Sequence, residues 1–210
     1  MQLDKIKEEL RNMFPNASCE LNYSNDYTLL IAIILSAQTT DKQVNKITPA
    51  LFNKYPDVYS LKDADISDVI EIIKPLGLAK NKSRYITKLA EILALKGGII
   101  PKNIKELEKL PGVGHKTACV FMSEYYKEPH IAVDTHVFRV SNRLGIVDAK
   151  TVTETEKGLE KLFDKDEYID THLRLLFLGR YICKSIKPLC EKCNLKECCK
   201  EWNFRHGKNF

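Results

Sequence analysis

Apolar residues recur along this chain at intervals of three and four, the spacing that lines one face of an α-helix. Leu3, Ile6, Leu10 and Met13 make one such face, Val44, Ile47 and Leu51 a second, and Tyr85, Leu89, Ile92 and Leu93 a third. Leu29 to Leu35 and Val69 to Ile73 are denser apolar runs of the same helical character. Strand-like alternation is almost absent, so the pattern predicts an all-α fold. Breaks fall at Pro15-Asn16, Tyr55-Pro56-Asp57, Pro75-Leu76-Gly77, Gly97-Gly98, Pro101 and Pro111-Gly112, where proline removes a backbone donor or glycine admits a tight turn. Further helices are expected over 116–126, 135–144, 152–163 and 169–182, and Glu128-Pro129-His130 interrupts the pattern where a domain division near residues 130 to 134 is expected.

One break carries more than punctuation. Leu110-Pro111-Gly112-Val113-Gly114-His115-Lys116-Thr117-Ala118 cannot continue a helix, yet Ala118, Cys119, Phe121 and Met122 resume helical spacing at once. The unit is helix, tight glycine hairpin, helix. Its glycines leave backbone N–H groups of the turn and of the next helix's first turn bare, an arrangement suited to a phosphate. Downstream, Asp134 stands directly before the next helix, either as its N-cap or as a carboxylate at the mouth of a cleft, and it can be both.

Composition narrows the partners. A 44% apolar content is enough for a real core, and the longest unbroken apolar run is far shorter than the roughly 18 residues a membrane span needs. With a charged N-terminal segment and no export signal, the chain is expected to be soluble, cytoplasmic and not secreted, with no membrane partner. The net charge of +5 permits a polyanion without requiring one. From Thr171 onward nine Lys or Arg residues stand against three Glu, so the excess lies in the C-terminal fifth.

Seven cysteines without an export signal argue for metal rather than disulfides, above all because of the spacing Cys183-x6-Cys190-x2-Cys193-x5-Cys199. Four thiolates close a tetrahedral zinc site or hold the corners of an iron–sulfur cubane. Only Cys190 and Cys193 form a zinc-type knuckle, and Cys198, vicinal to Cys199, is an alternative ligand. Cys19 and Cys119 read as core thiols.

Together, the hairpin, the Val133-Asp134-Thr135-His136 segment and the cysteine spacing resemble the endonuclease III family of helix-hairpin-helix DNA glycosylases. Leu35-Ser36-Ala37-Gln38-Thr39-Thr40-Asp41 and Gly77-Leu78 also look like segments of that family. The resemblance implies two α-helical domains: a six-helix barrel with the hairpin over residues 22–132, and residues 1–21 joined to 133–210 around a [4Fe-4S] cluster, with the active-site cleft between them. It implies a monomeric, bifunctional enzyme of base-excision repair acting on double-stranded DNA with damaged pyrimidines or abasic sites, nucleoid-associated if the source is bacterial.

It also implies roles. Lys116 matches the family's Schiff-base nucleophile, and a first-turn position favours the free amine that role needs. Asp134 matches the catalytic carboxylate; Cys183, Cys190, Cys193 and Cys199 match the cluster ligands. Gln38 and Leu78 match side chains that fill the space left by a flipped nucleotide, although Ala79 replaces an aromatic common in the family. Gly112, Val113, Gly114 and His115, with Lys184 and Lys187, are expected at DNA phosphates. Glu108 and His136 are supporting residues near the site. His115 replaces a common Arg, Leu178 a common His, and Ile186 and Leu189 make the cysteine loop less basic. Two alternatives remain: a mismatch glycosylase of the same fold, which commonly lacks the lysine, and a non-catalytic DNA-binding module with zinc.

Overall fold

The computed structural model describes residues 2–207. Among the described residues there are twelve α-helices, several short 3-10 turns, one π-helical segment and no strand. No helix is long and apolar enough to cross a membrane. The chain divides into two compact units, one of residues 20–128 and one joining the residues up to Cys19 with those from Pro129 onward.

The unit of residues 20–128 is built on α2 (Asp26–Leu35), whose residues from Tyr27 to Leu35 are all buried. A helix apolar all round is a core helix, which is why this run shows no polar face. Asn25 caps it, accepting from Thr28 N–H while the Thr28 side chain returns a bond to the cap, a reciprocal box that fixes the helix start. Around it pack α3 (Asp41–Lys54), α6 (Ala79–Leu95) and α8 (His115–Tyr126), with α6 also against α4 (Val58–Lys62) and α5 (Ile66–Ile73). α7 (Ile104–Leu107) is a single turn leading into the glycine hairpin. α8 ends where Lys127 takes the left-handed conformation, and Pro129 begins the other unit.

In that other unit α1 (Gln2–Met13) packs on α11 (Tyr168–Phe177), and α9 (Thr135–Leu144) packs on α10 (Val152–Leu162), α11 and α12 (Lys200–Arg205). Ile6, Leu10, Val137, Val140, Leu144, Leu159, Leu175, Leu178 and Leu195 share one core. Gln2 Nε2 donates to the Cys198 carbonyl at 3.0 Å and Lys7 Nζ pairs with Glu167 at 2.6 Å, so both ends of the chain close on one unit.

The α-helix expected over 169–182 stops early. From Leu178 to Ile182 the chain is π-helical, and Cys183 N–H donates to the Leu178 carbonyl at 2.7 Å. The cause is close packing: a Cβ on Gly179 would lie 2.7 Å from His136 Cβ, so the segment presses directly on α9. Leu178 is fully buried in the core, so that position serves packing in this chain.

Candidate active site

The hairpin starts from two apolar anchors, Leu107 and Leu110, both buried. Val113 N–H donates to the Leu110 carbonyl at 3.1 Å and closes the turn. Its two glycines differ. Gly112 has φ +78°, and a Cβ there would meet Tyr85 Cβ at 2.9 Å and Ile34 Cγ2 at 3.2 Å, so glycine is required twice over. Gly114 is the N-cap of α8 with φ −93°, and a Cβ there would meet nothing within 4 Å. Of the two hairpin glycines, only Gly112 uses left-handed backbone.

Gly114 supplies no side chain to cap α8. Lys116 is the second residue of that turn and half-buried, while Ala118, Cys119, Phe121 and Met122 anchor the helix below it. Val113 faces the other way. Its side chain is buried and its N–H is spent within the turn. His115 is exposed, with Nδ1 2.7 Å from Glu108 Oε1 and Nε2 3.5 Å from Cys119 Sγ. Glu108 thus acts on the hairpin through His115, whereas Glu106 pairs with Lys109 on the solvent side.

Asp134 is the N-cap of α9: Oδ1 accepts from His136 N–H at 2.8 Å and Val137 N–H at 2.9 Å. Both cap bonds fall on one oxygen, and Oδ2 makes none among the described residues. His136 Nδ1 lies 3.3 Å from Arg139 Nη2.

Gln38 and Leu78 share an unexpected feature. Each is a non-glycine residue with positive φ, +56° and +52°, and each side chain is exposed, Leu78 by 52%. Gln38 sits in the turn closed by Thr39 N–H to the Ser36 carbonyl at 3.1 Å, and Leu78 is the N-cap of α6, a position that ordinarily takes a small polar residue.

Cys183, Cys190, Cys193 and Cys199 line one cavity together with Leu144, Leu178, Ile182, Pro188 and Trp202. An adjoining cavity of about 290 Å³ shares Cys183, Cys190 and Cys199 and opens past Glu201 and Arg205. Cys198 is buried in the core and lines neither. Burial pushes the Cys190 and Cys199 thiols up and carries Cys193 to about 11, so bare thiolates are unfavourable there without a cation. Lys184 and Lys187 are exposed on the loop, beside Ile186.

Two arginines on α9 tie this loop down. Arg139 donates to the Cys183 and Gly179 carbonyls at 3.1 and 3.0 Å. Arg143 donates to the Lys184 and Ser185 carbonyls at 2.8 and 3.1 Å. Sequence reasoning passed over both, although arginines four apart on the helix after Asp134 were a visible signal.

Comparison with known proteins agrees with this architecture. Residues 31–165 match the HhH-GPD superfamily of base excision DNA repair proteins. The chain is 44% identical to endonuclease III of Bacillus subtilis, over its whole length and 96% of that protein. It is 42% identical to endonuclease III of Rickettsia prowazekii, over 94% of this chain and 93% of that one. Among solved structures, a trapped endonuclease III–DNA covalent intermediate superposes with a TM-score of 0.92 at 43% identity, covering 98% of this chain and 99% of that one. A thermostable thymine-DNA glycosylase superposes with a TM-score of 0.85 at 25% identity, covering 97% of each. A hairpin of this build, a superfamily match over residues 31–165 and identities above 40% along nearly the whole chain to two endonuclease III proteins lead to one conclusion: the chain belongs to the endonuclease III family of base-excision DNA repair enzymes.

Proposed function

We propose that this chain excises damaged pyrimidines from double-stranded DNA and cleaves the strand at the resulting abasic site, with Lys116 as the nucleophile. The observation that carries the reading is Lys116 itself, a half-buried amine in the first turn of a helix whose N-cap is a bare glycine. A family member at 43% identity has been trapped as a covalent intermediate with DNA, which fits a family that forms a bond to its substrate.

In this mechanism the Lys116 amine forms a bond to the sugar C1′ as the C1′–N bond to the base breaks. The base leaves with that electron pair and takes up a proton. Loss of the lysine proton and opening of the sugar give an imine, which acidifies C2′. Removal of that proton expels the 3′-phosphate, cleaving the strand 3′ to the site, and water then releases Lys116. Asp134 stabilises positive charge developing on the sugar and takes the lysine proton. The target nucleotide leaves the stack first, because C1′ is inaccessible to a nucleophile inside a duplex. Gln38 and Leu78 fill the gap. Backbone donors at Gly112, Gly114 and the first turn of α8 hold a phosphate, His115 assists according to its pairing with Glu108, and Lys184 and Lys187 meet further phosphates. Val113 contributes packing.

The four loop cysteines are read as ligands of a [4Fe-4S] cluster. Their donor chemistry fits the group: four sulfurs line one largely apolar cavity. When bound, such a cluster makes the loop rigid; the chain's own contribution is to present Lys184 and Lys187 from it.

Borohydride reduction of a reaction with a duplex carrying one ring-saturated pyrimidine should trap a covalent protein–DNA species. Lys116→Gln should abolish both trapping and strand cleavage. Retained lyase activity in that variant, with no trapping in the parent, would refute the assignment.

A further inference from the structure

Lys82 lies on α6, and only 3% of it is exposed. Its Nζ makes no ion pair with a carboxylate among the described residues. Instead it donates to the Leu76 carbonyl at 2.9 Å and lies 3.4 Å from Thr39 Oγ1. The Thr39 hydroxyl donates to the same Leu76 carbonyl. Burial alone lowers the Lys82 pKa, with no carboxylate opposing it. A core built for stability alone would place a methionine or leucine here, since an ammonium loses its hydration and gains only neutral partners.

The partners give the lysine a use. Thr39 follows Gln38 in its turn, and Leu76 ends the 3-10 turn that precedes Gly77 and Leu78. One buried ammonium therefore bridges the turns of Gln38 and Leu78, two of the three left-handed, exposed, non-glycine candidates for DNA contact among the described residues; the third, Lys187, lies on the cysteine loop. Strained backbone of this kind persists only where surrounding structure over-determines it, and it concentrates at functional sites. Lys82 is also anchored from below, its N–H donating to the Leu78 carbonyl at 2.9 Å.

Building on the reading that Gln38 and Leu78 fill the vacated stack, we propose that Lys82 is a positioning residue: it fixes the Gln38 and Leu78 turns against each other so that both side chains enter the duplex together. Lys82 touches neither substrate nor reacting atoms. Its contribution belongs to opening the stack and is absent where there is no stack to open.

The test compares two substrates under single-turnover conditions with cluster-loaded protein: a duplex carrying one ring-saturated pyrimidine, and a single-stranded oligonucleotide carrying a preformed abasic site. A misplacement of about 1 Å can cost on the order of a hundredfold in rate. Lys82→Met should therefore slow duplex base release at least about tenfold while single-stranded cleavage stays within about twofold of the parent. Thr39→Val, which removes one strut and leaves the lysine, should show a smaller loss with the same selectivity. If Lys82→Met does not fold, Thr39→Val carries the test alone. Unchanged duplex excision, or a parallel loss on both substrates, would overturn the proposal. Gln38→Ala and Leu78→Ala serve as controls on the underlying reading. Unchanged duplex excision in both removes that reading and the proposal with it, whereas selective loss in both, without loss in Lys82→Met, overturns only the role of Lys82.

Discussion

Asp134 carries a cap and a charge on one carboxylate, and substitution can separate them. Asn ranks with Asp at N-caps, and its side-chain oxygen can accept the same bonds from His136 and Val137 N–H at 2.8 and 2.9 Å. Asp134→Asn therefore keeps the start of α9 and removes the negative charge. Losing a carboxylate at a helix N-terminus costs about 0.3–1 kcal/mol, and about 1 kcal/mol moves the Tm of a domain of this size by about 2–4 °C. Asp134→Ala also loses the cap, for a further cost of about 0.5–2 kcal/mol. Removing one preorganised electrostatic contributor typically slows a reaction about 10²–10³-fold, or about 2.7–4 kcal/mol. The expected result is that both variants lose base excision to that extent while only Asp134→Ala melts clearly lower. The assay pairs single-turnover base release from a lesion duplex with thermal melting by circular dichroism. Base release by Asp134→Asn within about threefold of the parent would leave Asp134 a cap alone, since threefold is well under 1 kcal/mol. Equal melting of the two variants would refute the capping geometry instead.

Other substitutions test other joints. Gly112→Ala should destabilise by about 2 kcal/mol or more, because the new Cβ meets Tyr85 Cβ at 2.9 Å in left-handed backbone. Gly114→Ala, with open space and φ −93°, should stay within about 1 kcal/mol in denaturant titration yet weaken DNA binding; equal stability losses would refute the distinction. Hydrogen bonding from Lys7 holds the Glu167 carboxyl below its usual range, so its contribution is present above the unfolded pKa of about 4.3 and is lost as pH falls through the lower folded value. Urea titration should find Glu167→Gln less stable than the parent at pH 7 and the gap closing in acid; a constant gap would exclude the linkage. Cys199→Ser should lose the broad visible absorption expected of an iron–sulfur cluster while Cys198→Ser keeps it, because only Cys199 lines the cavity.

The parts legible in the sequence were those where residue type and conformation are tied together. Asp134 is the N-cap that its place before α9 implies, and the proline and glycine breaks fall between α-helices. The cysteine spacing picked out the four thiols that share a cavity but kept Cys198 open as an alternative to Cys199, and only its burial in the core sets it apart. Where one residue type serves two ends, the letters were silent. Gly112 and Gly114 look alike, yet one exists for the backbone and its Tyr85 neighbour and the other leaves space open. The turn from α- to π-helix at Leu178 depends on the approach of His136, forty-two residues earlier, which no local pattern carries.

Lys82 and the residues it serves make the same point from the side of function. Glutamine and leucine have no preference for left-handed backbone, so nothing local announces positive φ at Gln38 or Leu78. In the helical pattern of α6, Lys82 falls beside Ser83 near the start of an apolar face and reads as a solvated side chain. Only tertiary contact shows it turned inward, with Thr39 and Leu76 as its partners. A buried ammonium without a counter-charge and two strained exposed residues each conflict with local preference. They conflict at one place, bound by one hydrogen-bond network, and such agreement among violations is what separates a retained device from scattered imperfections of packing. That coincidence, rather than the burial of Lys82 alone, is why the substitution should act selectively on duplex substrate.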